Sequence, residues 1–548
     1  MKSSDSTGAT ERRSLPHDLP AWQALAAHAD RLRAIHLPSL FTSDPGRFAR
    51  FSVGHDRLVL DFSRHAVDEA ALGSLTQLAE QSGLQDAIEA LFNGAHLNFT
   101  ENRAALHMAA RGSCPIPDGD ADAVRATGER LRAFARALRS GKVTGATGRP
   151  IRRVINLGIG GSDLGPRMAV EALSRLRGHG PAVSFVANID PLELDEALVG
   201  ADPHTTLFIV SSKSFTTAET LANAHAARDW LVAALGADVD TSVHFAAVSN
   251  APAAAAAFGI ASERVFALPE WIGGRYSIWS TIGLPLMIAV GESAFDRFLE
   301  GGRSMDLHFR GSDFRQNIPV IMALLGIWNT DCLGIESLAV LPYAHGLRSF
   351  PAWLQQLEME SNGKRCLRDG TTSRVATAPI VWGGVGTVGQ HAFHQLLYQG
   401  TRRVALEFIV PVGAGDTRGQ ILVENAFAQA AALMDGRDLA AAREILQARN
   451  VPDGEIERLA PHMVCPGNQP STTLLLPDLN PYTLGQLLAL YEHKVFAQGW
   501  IWGINSFDQF GVELGKEMAR RIAGPHAGTR DASTDGLMAA AERLRKGL

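Results

Sequence analysis

A seven-residue segment combines hydroxyl groups with one ammonium group. Residues 211–217 read Ser-Ser-Lys-Ser-Phe-Thr-Thr and stand between an apolar run at 207–210 and a helical stretch that begins at Ala218. Backbone N–H groups at a helix start, together with a donor-rich loop, favour binding of a phosphate dianion. The alternative is that these residues form a helix N-cap, but a cap needs only one or two hydroxyls and this segment has more. The segment therefore predicts a phosphate site that requires neither a metal nor nucleotide-binding machinery.

A glycine-rich loop follows an earlier apolar run at 154–157. Residues 158–165 read Gly-Ile-Gly-Gly-Ser-Asp-Leu-Gly, and such small residues let the backbone approach a ligand. A dinucleotide fold would place glycine where Asp163 stands, and a P-loop would need Gly-Lys-Ser/Thr. Asp190, after the next apolar run, could serve a ribose or simply form a turn. An anion-binding loop, a dinucleotide site and a structural turn all remain open.

Three further positions carry groups suited to acid and base chemistry. Arg275 follows two glycines, which lets the backbone and the guanidinium reach a compact anion, although a surface turn explains it equally well. Glu360 follows an apolar helical run and precedes Asn-Gly after Ser361, so it is either a general base at a helix end or a solvated helix residue. His391 lies three residues before His394, a spacing that fits a proton shuttle, a core histidine or a metal site. No neighbouring carboxylate or thiol completes a metal set, and we expect none.

The elements that must position these groups follow an α/β pattern. Residues 22–139 mostly show helical spacing, with one hairpin between 51 and 62. From residue 152, short apolar runs alternate with turns and helices, which predicts two α/β units in tandem. Ligands of open parallel sheets lie at the carboxyl ends of the strands. The predicted strands are 154–157, 183–187, 207–210, 244–248, 338–341, 406–410 and 472–476, and a helix is predicted at 318–329.

Composition narrows the class of protein. The 548 residues carry a formal charge of −6 without a long run of Lys or Arg, which disfavours a nucleic-acid partner. Four widely spaced cysteines suggest a reducing compartment. The first 20 residues are polar and predict a frayed leader, and the apolar stretch at 278–290 is too short to span a bilayer. We expect a cytoplasmic protein without a membrane segment.

Taken together, these segments resemble the phosphoglucose isomerase family. The resemblance runs from Asn-Phe-Thr-Glu-Asn-Arg-Ala-Ala-Leu-His at 98–107 to Lys516, and residues 270–283 and 509–516 match the two family signatures. It implies two tandem flavodoxin-like sugar-isomerase domains, each a three-layer α/β/α unit with a parallel sheet. The implied divisions are an N-terminal helical segment 1–115, a smaller domain 116–288, a larger domain 289–510 and a C-terminal helical arm 511–548.

The resemblance also implies a reaction. This is the reversible isomerisation of glucose 6-phosphate to fructose 6-phosphate, through ring opening and a cis-enediol, with no cofactor and no metal. Glu360 would move the proton between C2 and C1, Arg275 and Gln509 would flank the enediol, and His391 with Lys516 would open the ring. A homodimer is expected, in which the neighbouring subunit supplies His391. The residues expected to hold the 6-phosphate are Gly161, Ser162, Ser212, Lys213, Ser214, Thr216 and Thr217.

The chain departs from the family pattern before His391. Residues 382–391 read Trp-Gly-Gly-Val-Gly-Thr-Val-Gly-Gln-His, whereas the family commonly has Glu-Pro and then Asn in this loop. If the missing carboxylate normally orients the histidine, support for His391 must come from elsewhere. Gln469, where Lys or Arg is common, is a milder change.

Two other functions compete with the isomerase. A non-catalytic sugar-phosphate sensor would need only the phosphate loop, and the presence of Glu360, His391 and Lys516 argues against it. A nicotinamide dehydrogenase would use residues 158–161 with Asp190, and the absence of a third glycine argues against that.

Overall fold

The computed structural model describes residues 15–413, 415–523 and 530–547. The chain divides into two units, Met1–Ser506 and Phe507–Leu548. In the first unit the strands are β1 (Ser52–His55), β2 (Leu58–Arg64), β3 (Arg153–Leu157), β4 (Ala182–Val186), β5 (Thr206–Ser211), β6 (Phe245–Val248), β7 (Val265–Phe266), β8 (Ser337–Pro342), β9 (Ile380–Gly383), β10 (Ala405–Pro411) and β11 (Ser471–Leu476).

Helices surround these strands. Those of the first unit are α1 (Pro20–Arg33), α2 (Leu37–Ser43), α3 (Arg47–Arg50), α4 (Glu69–Gln81), α5 (Leu84–Phe92), α6 (Ala121–Arg139), α7 (Leu164–Ala172), α8 (Pro191–Leu198), α9 (Ala218–Leu235), α10 (Pro252–Ala257), α11 (Leu284–Val290), α12 (Glu292–Gly311), α13 (Ile318–Ile327), α14 (Phe350–Leu354), α15 (Gly386–Gln390), α16 (His394–Gln399), α17 (Thr417–Asp435), α18 (Leu439–Ala448), α19 (Asp453–Leu459) and α20 (Pro481–Trp502). The second unit contains α21 (Phe510–Ala523) and α22 (Ala532–Arg545).

The first of the two sheets has five parallel strands, β3 to β7. Its strand order is β4-β3-β5-β6-β7. Strand β5 is buried along its whole length, as expected for a strand of a parallel sheet covered by helices on both faces. Because β3 and β5 are neighbours with Leu157 opposite Val210, the loops that follow them begin side by side.

The second sheet has six strands, β1, β2 and β8 to β11. Its order is β1-β2-β11-β10-β8-β9, with β11, β10, β8 and β9 parallel. The hairpin β1–β2 joins this sheet because β2 pairs antiparallel to β11. Strand β10 is buried throughout, so any polar group on it must find a partner inside the protein.

The α/β prediction with two parallel sheets is confirmed. Each predicted strand lies within one residue of an observed strand at either end, and the hairpin at 51–62 is present. The short strands β7 and β9 were not predicted, and the hairpin is a part of the second sheet rather than of a separate helical cap. The predicted helix at 318–329 begins at Ile318 but continues as a π-helical turn, Trp328–Cys332.

Two predictions fall partly outside the described residues. The frayed leader covers residues 1–20, of which 1–14 lie outside, while Pro20 begins α1. Residues 524–529 and 548, within the predicted C-terminal helical arm 511–548, also lie outside. Within the described ranges, no helix has both the length and the apolar character needed to cross a membrane.

Candidate active site

Two loops meet at the carboxyl ends of β3 and β5. Asn156 in β3 connects them, because its Nδ2 donates to the Ser162 carbonyl at 3.0 Å and its Oδ1 accepts from Ser211 Oγ at 2.8 Å. A Cβ on Gly158 would lie 3.1 Å from the Ser211 carbonyl oxygen, so a side chain there would require the neighbouring loop to shift by a few tenths of an ångström. Gly161 and Ser162 are thereby placed beside the hydroxyl-rich loop.

The hydroxyls of residues 212–217 bond to one another rather than capping a helix. Ser212 Oγ lies 3.0 Å from Thr217 Oγ1, and Ser214 Oγ lies 2.6 Å from Thr216 Oγ1. Thr217 is the N-cap residue of α9, yet its side chain forms no capping hydrogen bond. The N-cap interpretation is thus the weaker one, and the backbone N–H groups at the start of α9 can face an anion.

An aromatic side chain fixes the shape of this loop. Phe215 adopts a φ of 52°, in the left-handed region that non-glycine residues seldom occupy. Its ring is 5 % exposed and packs edge-on against Phe258, with 5.9 Å between ring centroids. Burial of the ring offsets the cost of the unusual backbone and holds the flanking hydroxyls in place.

Lys213 has an acidic partner that the sequence did not identify. Its Nζ lies 2.8 Å from Glu270 Oε2, while Asn250 Nδ2 donates to Glu270 Oε1 at 2.7 Å. Arg103 Nη1 is also 3.4 Å from the same carboxylate. Burial acts to raise the pKa of Glu270, but the hydrogen bonds from Lys213 and Asn250 outweigh it and lower the pKa. The ammonium of Lys213 is therefore paired within the protein.

Arg275 is held on three sides. Its Nη1 lies 3.1 Å from Glu360 Oε2, its Nε donates to Ser361 Oγ at 2.6 Å, and its Nη2 donates to the Ser506 carbonyl at 2.7 Å. The guanidinium side chain is 2 % exposed and the Glu360 side chain 21 %. The surface-turn interpretation of Arg275 is wrong, because this is a buried cation directed at a partly exposed carboxylate.

Glycines of the loop after β3 lie close to the Arg275–Glu360 pair. A Cβ on Gly161 would lie 2.0 Å from the Gly274 carbonyl oxygen, immediately before Arg275. A Cβ on Gly160 would lie 3.0 Å from Gln356 Nε2. The loop after β3 thus packs directly against both the Arg275 segment and the helix that carries Glu360.

Glu360 lies in a π-helical turn, Gln355–Glu360, that continues α14. The sequence predicted a helix end, and the wide turn was not foreseen. Gln356 was also missed, although its position four residues before Glu360 puts both on one helix face and was a usable signal. Two bonds tie the turn to β9: Gln355 Nε2 donates to the Val381 carbonyl at 3.1 Å, and the Val381 amide lies 3.5 Å from Met359 Sδ.

His391 stands apart from these contacts. It is exposed, directly follows α15, and forms no side-chain hydrogen bond with any residue that the structure describes. The loop is supported instead by Gln390, whose Nε2 donates to Tyr343 Oη at 2.9 Å. His394 is buried with Nδ1 3.1 Å from Gln429 Oε1, which disfavours a metal site shared with His391.

Gln509 and Lys516 belong to the second unit. Gln509 directly precedes α21, and Lys516 lies within it, with its Nζ 2.9 Å from Glu513 Oε1. Their part in a site remains a prediction.

Two positions from the sequence have structural explanations. Asp190 accepts a hydrogen bond from the Leu192 amide at 3.0 Å and caps α8, which favours the turn over a ribose contact. Gln469 is buried and bonds to the Leu397 carbonyl at 3.0 Å and to the Val404 amide at 2.9 Å.

Known proteins resemble this chain over most of its length. A profile of the phosphoglucose isomerase family matches residues 61–538. A glucose-6-phosphate isomerase from Aromatoleum aromaticum is 66% identical over 98% of this chain and 99% of its own length, and one from Ectopseudomonas mendocina is 47% identical over 95% and 97%. The crystal structure of a glucose-6-phosphate isomerase from Chlamydia trachomatis superimposes with a TM-score of 0.81 at 33% identity, covering 97% of this chain and all of that one.

Proposed function

The chain belongs to the phosphoglucose isomerase family, and we propose that the residues around Arg275 and Glu360 carry out its reaction. The protein is an aldose–ketose isomerase that interconverts glucose 6-phosphate and fructose 6-phosphate. The observation that carries the site assignment is the 3.1 Å contact between Arg275 Nη1 and Glu360 Oε2 beside the two loops that end β3 and β5.

The 6-phosphate binds at the two loops. Ser212, Ser214, Thr216 and Thr217 offer hydroxyls, and Lys213 offers its ammonium. Gly161 and Ser162 offer backbone groups. No side chain fits at Gly161, so the loop at this position presents only its backbone. Donors at a helix start suit a dianion because the helix dipole and the unpaired N–H groups act together.

Glu360 is the base. Aldose–ketose exchange needs one carboxylate that removes a proton from C2 and returns it to C1, or the reverse. The Glu360 side chain is 21 % exposed, so a substrate can reach it, while its contact with Arg275 fixes its direction. The C2–H bond breaks as its electron pair forms the C1–C2 double bond, while the C1=O π pair moves to O1, which takes up a proton from solvent. The carboxylate then returns its proton to C1 as O2 releases its proton and the C2=O bond forms.

Arg275 stabilises the intermediate. Negative charge develops on the C1 and C2 oxygens in the enediol stage, and a guanidinium carries its positive charge throughout the reaction. The bonds to Ser361 and Ser506 fix the guanidinium before the substrate arrives, so little reorganisation accompanies the reaction.

Ring opening falls to His391 with Lys516, and Gln509 contacts the enediol. A histidine near neutral pH can protonate the ring oxygen O5 while the O1 hydroxyl loses its proton. The exposure of His391 and its lack of a described side-chain partner support a contribution to the site of a neighbouring subunit. We further propose that the protein is a homodimer that acts in the cytoplasm. The family resemblance supports domain boundaries at 115/116, 288/289 and 510/511, the last of them four residues after the division between the two units of the structure.

Replacing the proposed base tests the assignment. Glu360→Gln keeps the size of the side chain but cannot take up the C2 proton, so kcat falls by about 10²–10⁴-fold. Binding of a five-carbon sugar-acid phosphate, followed by intrinsic Trp fluorescence, stays near the wild-type value. Full activity of the variant in a coupled assay from fructose 6-phosphate would overturn the role of Glu360. Activity loss together with loss of binding would place Glu360 in binding instead.

Subunit complementation tests the origin of His391. Glu360→Gln and His391→Gln chains are co-expressed with different tags, and the mixed species is purified. If each site takes Glu360 from one chain and His391 from the other, one of the two sites in a mixed dimer is intact, and activity recovers to about half of the wild-type value. A mixed dimer no more active than the two single-variant dimers shows that each subunit completes its own site.

A further inference from the structure

A buried ionic cluster lies behind the turn that carries Glu360. Glu358, two residues earlier, is completely buried, and its Oε2 lies 3.0 Å from Lys494 Nζ in α20. The same ammonium lies 3.3 Å from Glu407 Oε1 in β10. Tyr491 Oη donates to Glu407 Oε2 at 2.6 Å. Glu358, Lys494 and Glu407 are named here the buried clamp.

Stability alone is a poor explanation for the buried clamp. It places two carboxylates around one ammonium away from water, and apolar side chains of equal volume are often as stable as such groups or more so. Glu358 Oε1 finds no hydrogen-bond partner within the described part of the chain. Burial raises the pKa of Glu358, and the nearby Glu407 adds to the rise while Lys494 opposes it. These groups have no direct part in the reaction described above.

The turn geometry gives the cluster a consequence at the site. Residues two apart in a helical turn point to nearly opposite sides, so fixing Glu358 towards the core directs Glu360 towards the opposite side, where it is partly exposed. π-helical turns are rare, occur mostly as single turns within α-helices, and are frequent at functional sites. Here Lys494 joins the turn to β10, which is buried throughout, and to α20, which is buried over most of its length.

We propose that Glu358, Lys494 and Glu407 form a positioning unit that holds the π-helical turn in register and so aims the Glu360 carboxylate beside Arg275. The proposal rests on the assignment of Glu360 as the base. Without the clamp the turn relaxes towards α-helical winding, which rotates Glu360 away from C1 and C2. A displacement of about 1 Å at a reacting group can reduce the rate by about 10²-fold.

Three substitutions at Glu358 separate position from charge. Glu358→Met removes the contact but leaves the Lys494–Glu407 pair electrically balanced, so the fold is retained. We expect kcat to fall by about 10²-fold, while KM and the affinity for a five-carbon sugar-acid phosphate change by less than about twofold. Glu358→Gln still accepts a hydrogen bond from Lys494 and restores most of the kcat. Glu358→Asp keeps the charge but shortens the reach, and its kcat lies between those of the other two variants.

Asp331→Asn is the matched control. Asp331 lies in the other π-helical turn, where Trp502 Nε1 donates to its Oδ2 at 2.8 Å, and that turn carries no residue of the site. Its kcat should equal that of the wild type. The thermal midpoint of every variant is measured in parallel, so that loss of folded protein is not mistaken for slow chemistry.

Each result supports or overturns the positioning role. Wild-type kcat in Glu358→Met overturns it, as does a loss in which KM and kcat change together. A Gln variant as slow as the Met variant overturns it too, because the charge would then matter rather than the contact. If Glu358→Met does not fold, the Asp variant decides, since wild-type kcat there is incompatible with a clamp. Glu360→Gln is assayed alongside: if that variant stays active, the base assignment fails, whereas an inactive Glu360→Gln with a normal Glu358→Met overturns only the clamp.

Discussion

Neutralising Glu270 should strengthen substrate binding. In the structure Glu270 pairs with Lys213 at 2.8 Å, so the substrate phosphate competes with a carboxylate for this ammonium. Glu270→Gln removes the competing charge, while its amide oxygen can still accept the hydrogen bond from Asn250. The side chains of Lys213 and Glu270 are 35% and 62% exposed, and pairs of this kind contribute about 0.2–1 kcal/mol. The expected fall in KM is therefore about 1.4- to 5-fold, with kcat unchanged.

The salt dependence of this effect is part of the expectation. KM for fructose 6-phosphate is measured in the coupled assay from low ionic strength to about 0.15 M, where the Debye length is about 8 Å and the gain should shrink. Glu457→Gln, which removes the partner of Arg443 in another exposed pair, is the control and should leave KM unchanged. A rise in KM for Glu270→Gln would refute the reasoning, because Glu270 would then serve to hold Lys213 in its binding position.

Two further predictions concern a close backbone approach and a buried carboxyl. Gly161→Ala should raise KM at least tenfold, since its Cβ would lie 2.0 Å from the Gly274 carbonyl oxygen, whereas Gly274→Ala meets no atom within 4 Å and serves as the control; equal KM values would contradict the packing argument. Burial raises the pKa of Asp331 from its ordinary 3.8 to about 7, so the folded state keeps a proton that the unfolded chain releases, and stability falls as pH rises between these values. The Asp331→Asn variant has no carboxyl to ionise, so its stability does not fall in this way. It should melt at a higher temperature than the wild type at pH 8 but not at pH 4, as followed by circular dichroism. A difference in melting temperature that does not depend on pH would contradict the assignment.

The hydroxyl loop and the alternation of strands and helices could be recognised in the sequence. Residues 211–217 lie next to one another in the chain, so their chemistry and their place after a strand are local properties. The strands of both parallel sheets were predictable for the same reason, because a strand covered on both faces reads as an apolar run. Strand β7 has only two residues and strand β9 four, so their short apolar segments were not recognised as strands. The sheet that the hairpin β1–β2 joins depends on β11, more than 400 residues later.

The hydrogen-bond and ion-pair partners of the site residues could not be predicted from the sequence. Glu270 is 57 residues from Lys213, Ser361 is 86 from Arg275, and Lys494 is 136 from Glu358. Each of these pairs forms only when separate elements pack, and a side chain alone carries no mark of its distant partner. The departure at 382–391 shows the same limit, because the absence of a carboxylate was visible in the sequence, whereas the support from Tyr343 to Gln390 was not.

The sequence by itself determined the kinds of groups that the chemistry requires: hydroxyls and an ammonium for a phosphate, a carboxylate for proton transfer, a guanidinium for developing charge. These are properties of residue types and of neighbours along the chain. Only the tertiary structure decided that Arg275 is buried against Glu360, that Lys213 is neutralised by Glu270, and that Glu360 lies on a π-helical turn held from behind. The physical reason is that burial and hydrogen-bond geometry depend on contacts between elements far apart in sequence, and these contacts exist only in the folded chain.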